Sequence, residues 1–384
     1  MSELIEKITA AFEKDQARVP GSAMSALELP TSYESITPEW LTAITCANHR
    51  GAAVVSYQLD VSNNGSANRR KIYLEYNEFG CELGLPKALF CKATHDLASR
   101  ILLGVSGIAR SEVIFYNNIR SLLNIEAPKS IYAWFDPRSF NSMIVLPDLS
   151  GRVTEFCSNH TKMTRERAEG QLALLAEVHG RCYYNPQLNS QLMSLPTWSK
   201  FFNKMAALGF KEGSNRGFLA AKEAIPPRLY RQLTKIWPAA VASAERHTRL
   251  PQTLVHGDVH MKNWYVSRTG EMGLSDWETA SRGHWSRDVA HAISTALAVE
   301  DRRAWEGELL RFYIDRMRAA GGPAVSFDEA WTHYRQQLMS ALIWWTVTLA
   351  GELDSPEMQP GNGTVECVRR IAIAVDDVGS LESF

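Results

Sequence analysis

The chain has 384 residues, with 41 Lys and Arg against 42 Asp and Glu and a formal net charge of -1. That length accommodates two domains or lobes, and a hydrophobic content of 45% is that of a folded chain rather than a disordered one. The near-neutral balance supplies no broad positive field, which argues against nucleic acid as a partner but leaves room for a local anion site.

In chain order, Leu4, Ile5, Ile8 and Phe12 fall at helical spacing and predict a short amphipathic helix. The segment Met1–Gly21 has no apolar core of the kind a secretory leader needs. Six cysteines, at 46, 81, 91, 157, 182 and 367, form no Cys-x-x-Cys pair, so reduced thiols in a cytoplasmic protein are expected. Residues 1–50 read as a helical N-terminal extension.

From Gly51 the texture is that of strands. Ala52–Val61 is β-branched and aromatic, a polar loop follows at Ser62–Asn68, and Lys71–Tyr76 is again strand-like, which predicts a hairpin. Ala88–Ala93 predicts a third strand, Ala109–Leu123 a helix, and Ser130–Phe135 and Ser142–Leu146 two further strands. After Pro147 helical patterns take over, at Arg165–Tyr184, Trp198–Leu208, Pro227–His247, Ala304–Ala320, Phe327–Gly351 and Val365–Val378. Leu338–Ala350 is apolar but too short to span a membrane and reads as a buried helix, so no membrane association is expected. One strand-rich insert, Thr253–Trp277, interrupts the helices.

The insert holds the chemistry. It contains His256-Gly257-Asp258-Val259-His260-Met261-Lys262-Asn263, in which Asn263 follows Asp258 by five residues. That is the spacing of a kinase catalytic loop, where the Asp accepts the proton of the incoming hydroxyl and the Asn binds magnesium. Eighteen residues past Asp258 lies Asp276. Between them Trp264–Val266 and Met272–Leu274 predict a hairpin turning at Thr269-Gly270, which returns Asp276 to the side of Asn263. A carboxylate and an amide oxygen converging on one point suit Mg²⁺, a hard ion that prefers oxygen. Asp and Asn are also common turn residues, and His256-x-Asp258-x-His260 taken alone could be the metal triad of a hydrolase. Against the triad, both histidines are expected to bond to the loop backbone and fix its shape.

Together with Asp276, the loop resembles the aminoglycoside phosphotransferase and choline kinase superfamily within the protein-kinase-like fold. Leu146-Pro147-Asp148-Leu149-Ser150 and Arg110–Tyr116 are most similar to the ecdysteroid-kinase-like branch, and Ser286-Arg287-Asp288-Val289-Ala290 resembles the segment that opens the next helix. The resemblance implies an α+β, bilobal fold with a β-rich N-terminal lobe and a mainly helical C-terminal lobe. It implies nucleotide binding by residues 51–146, a hinge at 147–151, and catalysis and acceptor binding in 152–384. By the same resemblance Lys92 contacts the α- and β-phosphates of ATP and pairs with Glu112; in that context Gly65 and Ser66 present backbone N–H groups and a hydroxyl to the β- or γ-phosphate, and Leu146 and Leu149 of the hinge segment contact the nucleotide. Pro147 stands where the related hinge usually has Glu; lacking an N–H donor, it leaves GTP as an alternative to ATP.

The expected activity is transfer of the γ-phosphate to a hydroxyl of a small molecule, with Asp258 as base and Mg²⁺ on Asn263 and Asp276. The aromatic content of the second half, which includes Trp305, Phe312, Tyr313, Trp331, Tyr334, Trp344 and Trp345, suits a neutral, aromatic or hydrophobic acceptor. The alternatives are a catalytically silent pseudokinase scaffold, a metallohydrolase using His256, Asp258 and His260, and a protein kinase. The last is disfavoured by the short stretch from Asp276 to Asp288, which lacks Ala-Pro-Glu.

Overall fold

The structure, a computed structural model, describes residues 2–17, 23–354 and 361–384. It divides into two compact units, Met1–Ser121 with Pro128–Arg152, and Leu122–Ala127 with Val153–Phe384.

The first unit contains helices α1 (Ser2–Gln16), α2 (Pro38–Thr45), α3 (Glu78–Glu82), α4 (Leu97–Ser106) and α5 (Ile108–Ile114). Its strands are β1 (Val54–Leu59), β2 (Asn63–Asn64), β3 (Asn68–Tyr76), β4 (Ala88–Ala93), β5 (Tyr132–Phe135) and β6 (Ser142–Pro147). They form one antiparallel sheet in the order β1-β3-β4-β6-β5, with β2 paired to β3. Alternation does the sorting: Ile72, Leu74 and Tyr76 on β3 point inward, with Leu89, Cys91, Met143 and Val145 beside them in the core. Each fully buried apolar side chain of this size contributes about 1.5–3 kcal/mol.

The expected extension at 1–50 packs into this unit. Trp40 and Leu41 of α2 lie in the same core. The Tyr33 hydroxyl reaches the carbonyls of Asn68 (2.9 Å) and Cys91 (3.1 Å), and Asp15 of α1 forms a buried ion pair with Arg100 of α4 at 2.6 Å. Helix α4 was not visible in the hydrophobic pattern. It starts because the Asp96 carboxylate accepts from the Ser99 N–H (2.7 Å) and ends at Gly107 in the left-handed region (φ 84°). The expected helix at 109–123 is α5 continued by a π turn, Phe115–Ile119, and a 3₁₀ turn, Arg120–Leu122.

The second unit is mainly helical, with α6 (Arg165–Tyr184), α7 (Pro186–Leu192), α8 (Trp198–Met205), α9 (Lys211–Ala220), α10 (Pro227–Tyr230), α11 (Leu233–His247), α12 (Ser286–Ala296), α13 (Val299–Ala319), α14 (Phe327–Asp354) and α15 (Gly361–Asp377). Its strands are β7 (Val153–Phe156), β8 (Thr253–Val255), β9 (Trp264–Ser267), β10 (Met272–Leu274) and β11 (Ser281–Gly283), in one sheet of order β10-β9-β7 and one of β11-β8. The hairpin expected in the insert is β9–β10, with Leu274 opposite Trp264. Residues 122–127 serve it: the Glu126 carbonyl accepts from the Leu274 N–H (3.0 Å) and its carboxylate from the Tyr265 hydroxyl (2.9 Å). Every residue of α12 is buried, and the helix packs against α6, α14 and α15. No helix among the described residues is long and apolar enough to cross a membrane.

Candidate active site

The loop after β8 is held by side chains from three other segments. Gly257 has φ 84°, and a Cβ there would meet the Thr279 carbonyl and hydroxyl oxygens at 3.0 Å, so only glycine fits. Asp288, fully buried in the first turn of α12, takes both neighbouring amides: its Oδ2 accepts from the His256 N–H (2.6 Å) and its Oδ1 from the Gly257 N–H (2.8 Å). The Thr279 hydroxyl donates to the His256 carbonyl (2.6 Å) and Arg287 Nη2 to the Gly257 carbonyl (3.0 Å). Buried peptide groups need such partners, and here the partners set the shape of the loop.

Both histidines of the loop take part. His256 Nδ1 accepts from the Asp258 N–H (3.2 Å), and its Nε2 lies 3.0 Å from the Ser275 carbonyl, to which it donates as the opposite tautomer nitrogen. Burial pushes the His256 pKa down, which keeps this ring neutral. With both nitrogens engaged, His256 has no lone pair to offer a metal, which removes one ligand of the triad considered from sequence. His260 Nδ1 accepts from the Lys262 N–H (3.2 Å), and its Nε2 lies 3.4 Å from Asp258 Oδ2.

Two of the three residues expected to converge, Asp258 and Asn263, are tied to each other, and the third follows a residue tied to Asn263. Asn263 donates through Nδ2 to the Asp258 carbonyl (2.7 Å), which turns its amide oxygen the other way. The Asn263 carbonyl accepts from the N–H (2.8 Å) and the hydroxyl (3.0 Å) of Ser275, the residue before Asp276. Asp276 itself sits in the left-handed region (φ 61°, ψ 65°), where a non-glycine residue stores strain, a feature that clusters at functional sites. Burial would raise the pKa of the Asp258 carboxyl, but the neighbouring His260 outweighs it and holds the group below the ordinary carboxylate value. Asp258 is therefore ionised at neutral pH.

The first unit carries a second group of candidates. Lys92 on β4 and Glu112 on α5 are buried and paired at 3.0 Å. Arg69 stands directly opposite Lys92 on the β3–β4 ladder, and directly opposed residues share one face of a sheet. The Arg69 guanidinium lies 3.5 Å from where a Cβ on Gly65 would be, so a second cation is placed by the β2–β3 loop. The Gly65 N–H is donated to the Ala67 carbonyl (3.0 Å), and Ser66 lies between them in the loop. Leu146 pairs with Phe90 and Pro147 with Leu89 at the end of β6, and the Leu149 carbonyl accepts from the Arg152 N–H (2.8 Å).

Sequence reading passed over Arg69, Ser275, Thr279 and the structural work of Arg287. Arg69 becomes visible only once the strand register is known; Ser275 and Thr279 flank Asp276, but no spacing rule marks them. Of the aromatics in the second half, Tyr313, Tyr334 and Trp345 are core. Trp344 is only partly buried and stands among Trp198, Phe201 and Phe210, with ring centroids 5.7–6.0 Å away. The Arg287 guanidinium lies 4.4 Å over Trp198, linking this aromatic group to the residue that holds Gly257.

Comparison with known proteins bears on the fold and on the loop. A profile of the phosphotransferase enzyme family matches residues 150–324, the stretch that contains Asp258, Asn263, Asp276 and Asp288. No curated protein matches the sequence. A solved structure of a candidate aminoglycoside phosphotransferase from Ralstonia eutropha is similar over 89% of this chain and 97% of its own, with 14% identity and a TM-score of 0.52. A choline kinase from Cryptosporidium parvum is similar over 85% of this chain and 90% of its own, with 11% identity and a TM-score of 0.50. The chain thus has the protein-kinase-like fold, with a sheet in its N-terminal region and a mostly helical C-terminal region.

Proposed function

We propose that this chain is a phosphotransferase that moves the γ-phosphate of ATP onto the hydroxyl of a small molecule. The observation that supports this most directly is the tie between Asn263 and its two neighbours, Asp258 through the side chain and Ser275 through the carbonyl. It accords with a carboxylate base at Asp258 and hard oxygen donors at Asn263 and Asp276 acting together. The family profile over 150–324 supports the same reaction class.

Each residue then has a task. Asp258 orients the acceptor hydroxyl and takes its proton as the new oxygen–phosphorus bond forms and the bond from the γ-phosphorus to the bridging oxygen breaks, leaving ADP. The Asn263 amide oxygen and the Asp276 carboxylate fit Mg²⁺ by chemistry, and the ion when bound offsets phosphate charge. Lys92, oriented by Glu112, holds the phosphates, and Arg69 and Ser66 approach them from the loop. Most of the rate enhancement comes from positioning and fixed charge.

For the base of the nucleotide we assign backbone contacts at Leu146 and Leu149, because Pro147 has no N–H to give; GTP remains an alternative co-substrate. The acceptor is a neutral, aromatic or hydrophobic alcohol, a reading supported by the part-exposed Trp344 and its aromatic neighbours. Within the superfamily, Arg110–Tyr116 and Leu146–Ser150 favour the ecdysteroid-kinase-like branch. A cytoplasmic location accords with this use of ATP.

The test is ADP formation by purified protein with MgATP and a panel of alcohols, phenols and amines, followed by detection of the phosphorylated product. Acceptor-dependent ADP release that disappears in Asp258→Ala supports the proposal. MgATP binding without turnover favours the silent scaffold, and stoichiometric zinc with hydrolytic activity favours the hydrolase.

A further inference from the structure

Asp258 offers two carboxylate oxygens, and the protein treats them differently. Oδ2 lies 3.4 Å from His260 Nε2. Oδ1 is buried and has no hydrogen-bond partner among the described residues. Buried oxygens are almost always satisfied, so an unpartnered one on a base asks for an explanation.

The orientation of His260 supplies it. Its Nδ1 accepts from the Lys262 N–H (3.2 Å), so the proton sits on Nε2 and faces Oδ2, where the Asp258 charge holds it against burial and raises the pKa of the ring. The ring cannot easily turn away. It stands edge-on against Trp345, with centroids 5.6 Å apart and planes at 79°. Trp345 is fully buried on α14, and its indole N–H donates to His291 Nε2 on α12 at 2.9 Å. Burial, and then the Arg287 charge, hold the His291 pKa well below the ordinary value, so this ring is neutral and offers one lone pair. A chain of side chains from two helices thus fixes the imidazole that addresses one oxygen of the base.

We infer that His260, locked by Trp345 and His291, is a positioning residue that occupies Oδ2 of Asp258 and thereby leaves Oδ1 as the oxygen that receives the acceptor's proton. The inference rests on the phosphoryl-transfer reading. In that reaction the acceptor oxygen bonds to the γ-phosphorus, its proton passes to Oδ1, the electron pair of the broken bond leaves with ADP, and the proton is later released to water. The 3.4 Å contact shortens once an acceptor hydroxyl engages Oδ1, as catalytic hydrogen bonds do on forming the reactive complex. Loss of His260 frees the carboxylate to rotate, and a misplacement of about 1 Å at a reacting group costs up to about 100-fold in rate.

Two measurements on the 384-residue chain test this. The first does not depend on turnover: a long-range ¹H–¹⁵N spectrum of histidine-labelled protein, with His260 assigned by the signal that vanishes in His260→Gln. The expected result is the Nε2–H tautomer, with a signal that shifts in Asp258→Asn. An Nδ1–H tautomer, or indifference to Asp258→Asn, overturns the inference and leaves the kinase reading standing. The second is steady-state kinetics with MgATP and the best acceptor of the panel. His260→Ala is expected to lower kcat by about 10- to 100-fold with little change in KM for ATP, and His260→Gln, whose side-chain amide can reach Oδ2 as a donor, to recover most of the loss. Equal turnover in wild type and His260→Ala, or loss only through a raised KM, contradicts the assignment. Wild-type protein that transfers phosphate to nothing counts instead against the proposed function.

Discussion

The loop His256–Asn263 and the strand face around Lys92 hold their candidate residues by different means. The loop has almost no regular structure of its own, and its shape comes from distant side chains: Asp288 on two amides, Thr279 and Arg287 on two carbonyls, and His256 across to Ser275. The strand face is built by the ladder itself, in which Arg69 and Lys92 are placed by register, with one buried ion pair to Glu112 added. The first arrangement fixes individual oxygens and is suited to proton transfer. The second presents positive charge on a rigid surface and is suited to holding phosphates.

The difference is sharpest at Asp258 itself. Asp258→Ala is expected to lower kcat by about 10²–10⁴, the range for a positioned base, with MgATP affinity near normal by titration calorimetry. Comparable turnover in this variant would remove the base from the loop. Next in size is Asp288→Ala, which touches no reacting atom. It strands the His256 and Gly257 amides in a buried site, at about 1–3 kcal/mol for each unsatisfied group. Urea unfolding should show the loss of stability, and activity should fall with it. A stable, fully active variant would mean that the side-chain framework is dispensable.

On the strand face the effects should be on binding. Lys92→Met removes a charge-assisted contact worth about 1.5–3 kcal/mol, so KM for ATP should rise by about 10- to 100-fold; an unchanged KM would deny that the ladder presents phosphate ligands. Acid is expected to separate the units further. Burial, and then the neighbouring His333, push the His247 pKa down to about 3. Burial also pushes His95 in the first unit down to about 4, and burial beside His247 and His333 drives His284 well below its ordinary value. The sign follows from linkage. Between the folded pKa and the ordinary unfolded one the unfolded chain binds more protons, so stability rises with pH and is lost as pH falls through that window. For His247 alone the loss from pH 7 to pH 5 is about 2 kcal/mol. Hydrogen exchange at the two pH values should show the C-terminal unit losing more protection than the N-terminal one, and His247→Gln should reduce the gap. The smallest effect is expected of the part-exposed Arg69, where Arg69→Ala should raise KM for ATP by up to about fivefold, in line with the energy of an exposed charge contact.

The same contrast explains what could be read in advance. The hairpin β9–β10 and the strands around Lys92 were legible, because period-two patterning and turn residues are local signals. The spacing of Asp258, Asn263 and Asp276 stood out because all three lie in the one short strand-rich insert, and the hairpin predicted there is β9–β10. Helix α4 was missed because its start depends on one capping carboxylate, Asp96, and its end on a glycine. Helices α10 and α11 were merged because Pro227 and the apolar run beyond it hide the break at Arg231–Gln232. The supports of the loop were illegible except for Asp288. Ser275, Thr279, Arg287 and Trp345 act only through contacts that folding creates, and no pattern in the chain announces a partner found in three dimensions. Residues 1–50 looked separable but share a core with the sheet through Trp40 and Leu41, a contact that a change of texture along the chain does not reveal.

The central claim, that Asp258 directs a phosphate from ATP to a hydroxyl, is tested most directly by ³¹P NMR of MgATP incubated with the protein and the acceptor panel. The account predicts a new phosphomonoester signal that grows as the γ-phosphate signal falls, in step with ADP, and that is nearly absent with Asp258→Ala. A γ-phosphate that stays on ATP with every acceptor, or a phosphomonoester that forms as fast without the Asp258 carboxylate, would contradict it.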